Sequence, residues 1–119
     1  MKHMTALSMA TLMGLTSASS ATTVYVTASV ERTLIADQDR WGGCMILLDK
    51  QPSDYGLDCP SRWVSFSCNG TFTTKDVAYR MFDSAQMAAA LGKRVVVEVD
   101  DTRKHNGYCY GSRVDVLLQ

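Results

Sequence analysis

The chain carries no net charge: 12 basic side chains balance 12 acidic ones. It has no basic run or stripe, which argues against nucleic acid or an anionic membrane as a partner, since clustered Lys and Arg hold both. Long apolar runs are missing too. The longest mostly apolar stretch, residues 4–15, is shorter than the roughly 20 residues a membrane-spanning helix needs. No transmembrane segment is expected. Histidine occurs only at His3 and His105, which leaves little for imidazole catalysis. No two of the four cysteines have the C-x-x-C spacing of a zinc site, so no metal and no cofactor is expected. Repeats, low-complexity tracts and linkers are absent, and the only prolines, Pro52 and Pro60, fall in one stretch.

Residues 1–21 hold four of the seven methionines and no acidic side chain. Lys2 and His3 form a short polar start, an apolar segment follows, and Ser19-Ser20-Ala21 places small residues where a signal peptidase reads. This segment is expected to be a signal peptide. Residues 22–119 then form one exported domain, long enough for one modest core.

The strongest local signal lies between Thr73 and Gly92. Thr73 followed by Asp76 matches the [ST]-x-x-[DE] start of a helix. Ala78, Met81, Phe82, Ala85, Ala88 and Ala89 recur at steps of three and four, predicting one apolar stripe. Gly92 is placed to end the helix in a left-handed residue. Next, Val95, Val97 and Val99 alternate with Val96, Glu98 and Asp100, the period of a half-buried strand. Residues 100–107 read as a long polar hairpin turn, and Val114, Val116 and Leu118 mark a last strand. Upstream, residues 22–36, 41–49 and 63–68 read as three strands, the first bent near Arg32-Thr33. Residues 50–62 read as loop, and Asn69-Gly70 as a turn rather than as an N-glycosylation acceptor.

Four cysteines in a small exported domain argue for two disulfides, and three pairings are possible. An antiparallel pair with Cys44 facing Cys68 sets Ile46 opposite Phe66 and Leu48 opposite Val64, so all apolar residues share a face. Cys59 is then left for Cys109.

The element order is β-β-β-α-β-β, mainly β with one helix (α+β). It resembles the OB-fold, a five-stranded barrel with its helix between the third and fourth strands. Cys59-Pro60-Ser61-Arg62-Trp63-Val64-Ser65-Phe66, the Ala-rich helix ending in Leu91-Gly92-Lys93, the valine strand and Gly107-Tyr108-Cys109 carry a narrower likeness. Over residues 59–117 the chain resembles small exported bacterial proteins related to the B subunit of subtilase-cytotoxin-like A–B toxins. That resemblance implies a glycan-binding role and a homo-oligomer, a pentamer if toxin-like. The charged 100–106 segment departs from that pattern.

Enzymatic activity is not expected. His105 is the one histidine of the mature chain, and Ser61, Ser65, Ser67 and Ser112 lack a nucleophile-elbow context. OB-folds bind ligands on strands two and three and on the loops joining strands one–two and four–five. Candidate ligand contacts are therefore Trp41, Trp63, Asp101, Arg103, His105, Asn106, Tyr108 and Tyr110. Their aromatic rings suit the C–H faces of sugars and the polar groups suit hydroxyls, with packing in core or interface as the competing role. The expected partner is a glycan or a cell-surface protein. The alternative is a periplasmic interaction or inhibitor protein of the envelope. Export leads either to the periplasm or to full secretion.

Overall fold

The computed structural model describes residues 22–37 and 39–119; the expected signal peptide lies outside the described residues. Five strands run β1 (Thr23–Ile35), β2 (Cys44–Leu48), β3 (Trp63–Ser65), β4 (Arg94–His105) and β5 (Tyr108–Val116), with helix α1 (Lys75–Ala90) between β3 and β4. They close into an OB-like barrel in the order β1-β2-β3-β5-β4, with β4 returning to β1. Among the described residues only the β3–β5 contact is parallel.

The barrel is filled by the alternating residues the sequence offered. Val26, Ala28, Cys44, Ile46, Leu48, Val64, Phe66, Val95, Val97 and Val99 form one core with Ala78, Phe82, Ala85 and Ala88 of α1. Small alanines let α1 lie close on the open end of the barrel, and Phe82 fills the gap. Burying such a ring contributes on the order of 1.5–3 kcal/mol. Met81 packs against this core at its margin, whereas Ala89, expected in the stripe, faces solvent. The helix ends as expected. Gly92 adopts φ +65°, its N–H donates to Ala89 O, and Lys93 N donates to Ala88 O, the paired bonds of a Schellman cap.

Four expectations need correction. The cap is Thr74, not Thr73: its extended backbone (φ −68°, ψ 150°) sets Oγ1 to accept from Val77 N, and the helix begins at Lys75. The β2–β3 register pairs Ile46 with Val64 and Leu47 with Trp63, two residues from the expected pairing. Both disulfides nevertheless join the expected partners, Cys44–Cys68 and Cys59–Cys109. The reason is that β3 ends at Ser65, and Ser67 turns left-handed (φ +62°), carrying Cys68 back to Cys44.

Third, β2 begins only at Cys44, because residues 41–43 form a tight left-handed turn. Fourth, residues 100–105 belong to β4, and the hairpin turn is only Asn106-Gly107, both at positive φ. Three residues, 101–103, bulge between the pairs Asp100↔Tyr110 and Lys104↔Cys109. The expected bend of β1 is a bulge too, at Glu31 between the pairs Val30↔Leu48 and Arg32↔Leu47.

Among the described residues no helix is long and apolar enough to cross a membrane. Every cysteine is disulfide-bonded, as expected of a protein folded in an oxidising compartment outside the cytoplasm.

Candidate functional site: an aromatic pocket on β2 and β3

All five residues of β2 are buried, although only Cys44, Ile46 and Leu48 point into the barrel. Met45 and Leu47 face outward and are covered by side chains from neighbouring elements. Leu47 pairs with Trp63 on β3 and Arg32 on β1. Met45 forms the floor of a cavity of about 120 Å³ walled by Leu34, Trp41, Trp63 and Tyr108. Three of the expected ligand contacts thus come together. They sit on the face and loops by which OB-folds hold ligands.

Trp41 reaches the pocket by an unusual backbone. It adopts φ +57°, followed by Gly42 at +74° and Gly43 at +87°. A left-handed conformation costs an L-residue roughly 1–2 kcal/mol, and such strain tends to collect at functional sites. Several contacts hold it. Trp41 N donates to Asn106 Oδ1 at 2.9 Å, and Ser65 Oγ donates to Trp41 O at 2.6 Å. Gly42 is enforced by space as well as by φ. A Cβ there would stand 2.5 Å from Ser65 Oγ and 2.7 Å from His105 Cδ2.

Two arginines stand over the indoles: the Arg32 guanidinium carbon is 5.5 Å from the Trp63 ring, and that of Arg40 is 5.5 Å from the Trp41 ring. Neither makes an ion pair among the described residues, while the nearby Arg62 is bound to Glu31 and to Leu48 O.

The remaining candidates are engaged inside the protein. Asn106 acts on Trp41 as described. Asp101 Oδ2 accepts from Asp58 N, and Lys104 pairs with Asp58 Oδ2, so the bulge of β4 grips the loop that carries Cys59. Arg103 donates to Asp100 at 2.8 Å and lies 4.6 Å from the Tyr110 ring. Burial pushes the Asp100 carboxyl up, but hydrogen bonds from Thr102 and Arg103 outweigh it and hold the group below its ordinary value. Tyr110 is buried, which pushes its hydroxyl up.

His105 is half-buried on a strand rather than in a solvated loop. It packs against Phe72 with ring centroids 4.5 Å apart and planes tilted by 42°, and its Nε2 lies 2.9 Å from Ser67 Oγ. Ser67 Oγ donates to Asn69 Oδ1 and accepts from Phe72 N, so the imidazole Nε2–H is the donor to it. The hydroxyl has no free position for attack, and Ser67 is wholly buried. This pair fastens the corner at Ser67 to the end of β4. Burial pushes the imidazole down, opposed by Asp39. Asn69 Oδ1 also accepts from Thr71 N, the turn role expected of Asn69-Gly70.

Leu34, Met45, Arg32 and Arg40 did not stand out in the sequence. Leu34 and Met45 were readable only as members of alternating strands, Arg32 only as part of a strand bend and Arg40 only as part of the loop joining strands one and two, with nothing local to place either arginine over an indole. Set against known protein families, curated proteins and solved structures, the chain matches none of them.

Proposed function

We propose that this chain is an exported, non-catalytic binding module that takes a glycan or other cell-surface ligand on the outer face of β2 and β3. The observation that carries this reading is the cavity framed by Trp41, Trp63 and Tyr108 above Met45. Aromatic faces that are only half-buried, one of them held in a strained backbone, suit stacking on the apolar face of a sugar ring. The likeness to toxin B subunits fits the same role and adds a ring oligomer. Glycan-array binding by mature protein, lost in Trp63→Gln, tests it; equal signals from both proteins would sink it. Native mass spectrometry of the mature protein tests the ring, with a monomer refuting it.

One observation favours a second reading, a protein-interaction or inhibitor module of the periplasm or cell surface. None of the five lining side chains carries a carboxylate, amide or ammonium group to meet sugar hydroxyls. Recovery of one stoichiometric protein partner, with no signal on glycans, would support this reading.

A further inference from the structure

We infer that the pocket seats one apolar side chain from an acidic segment of a partner protein, with Arg32 and Arg40 meeting carboxylates on either side of that anchor. This rests on the protein-partner reading above. Size is the first argument. Small-molecule sites usually span roughly 300–1,000 Å³, whereas this cavity holds about 120 Å³, room for one side chain. Chemistry is the second. A sugar ring could stack on the indoles, but only the indole N–H groups and the Tyr108 hydroxyl could meet its hydroxyls, and those turned to Leu34 and Met45 would lose water without gaining partners. An alkyl or aryl side chain gives up no hydrogen bond to water by entering.

Charge then selects the segment around the anchor. Arg32 and Arg40 stand over the two indoles with no carboxylate partner among the described residues. Aspartates of the same loop, Asp37 and Asp39, line a separate polar recess with Lys75 and Tyr79. The rim of the aromatic pocket is therefore positive on a chain that is neutral as a whole. An incoming acidic segment would find its carboxylates opposite guanidinium groups already held over aromatic rings, and a guanidinium fork can pair bidentately with a carboxylate. At the pocket β2 is already paired with β1 and β3, so side chains rather than a strand edge are the means of capture there.

The test uses fluorescence anisotropy with mature protein and labelled pentapeptides. Asp-Glu-Phe-Glu-Asp should bind, with about tenfold loss for Asn-Gln-Phe-Gln-Asn, and a similar loss when the central Phe is replaced by Gly. Doubly substituted Arg32→Gln/Arg40→Gln protein should bind the acidic peptide about tenfold more weakly and the neutral peptide unchanged. Both arginines are exposed, so the variant should retain the wild-type melt. Equal affinity for acidic and neutral peptides, no binding of either, or tighter binding of polygalacturonate than of peptide with the same arginine dependence would each overturn the inference. Undiminished binding of the acidic peptide to folded Trp63→Gln protein would instead remove the pocket itself as the binding face. Loss in that variant without any effect of the arginines would leave the pocket and discard only the acidic partner.

Discussion

The N–H of Trp41 and the side-chain oxygen of Asn106 meet at 2.9 Å across 65 residues of sequence. One lies in the loop between β1 and β2, the other in the hairpin between β4 and β5. Together these loops frame the aromatic pocket, and this bond ties them to each other. Asn106 itself is left-handed, at φ +52°. Asn106→Gly should therefore relieve backbone strain while removing the acceptor. The melt is expected to change little, but Trp41 fluorescence should shift and ligand affinity should fall. Asn106→Asp should preserve all three. Asn106→Ala combines the lost bond with an unfavourable φ and should cost about 1–2 kcal/mol in urea unfolding.

Gly42 and Gly107 share a positive φ but not their surroundings. A Cβ at Gly42 collides with Ser65 and His105, whereas one at Gly107 meets nothing within 4 Å. Gly42→Ala should lose roughly 2–4 kcal/mol, and Gly107→Ala about 1 kcal/mol. Parallel denaturant titrations separate the two; equal losses would contradict the packing at the Trp41 turn.

Reduction should be severe for so small a domain. The Cys44–Cys68 and Cys59–Cys109 bridges span 24 and 50 residues, for which the loop-entropy estimate is about 3–4 kcal/mol each. Non-reducing peptide mapping should recover both pairs. Cys59→Ala/Cys109→Ala should also free the 57–59 loop, read as faster amide exchange near Asp58.

Acid should weaken the fold in two windows. His105 is held below its ordinary value of 6.5 by burial, so the unfolded chain takes up this proton first. Its contribution is present above that value and is lost as pH falls from there towards the lowered folded value. Asp100 also titrates below its ordinary value, 3.8. Its contribution persists above 3.8 and fades as pH falls through the folded value beneath it. Melts across pH 7 to 2 should show both losses, with His105→Gln abolishing the upper one and Asp100→Asn the lower.

A charge inside the barrel end is the simplest test of the core. Phe82→Asp should prevent folding at 25 °C, since the carboxylate would have no partner among Ala78, Ala85 and the valines. A near-wild-type melt would mean that α1 is not buried by this face.

Alternation explains both what could be read in advance and what could not. Cys44, Ile46 and Leu48 face inward with Val64 and Phe66, and a slip of two residues keeps that parity. The disulfide pairing was therefore legible, although the expected register was two residues off. Helix α1 was legible because its spacing and terminal Gly92 agree. Trp41 was not: nothing local distinguishes a tryptophan on a strand from one in a left-handed turn, except the two glycines that follow it. The polar string 100–105 resembles a loop by composition, yet Cys59–Cys109 and the contacts of Asp58 hold it in the sheet. His105, expected in the polar turn, is for the same reason on a strand and packed against Ser67 and Phe72.

Within β2, neighbouring positions answer to different demands. Residues 44, 46 and 48 belong to the interior of the barrel, while 45 and 47 belong to its outer aromatic layer. Substitution at 45 or at Leu34 would then reshape the proposed pocket while leaving the scaffold's inner packing as it is. A lineage built on this arrangement could recut the proposed pocket, one outward side chain at a time, without refolding.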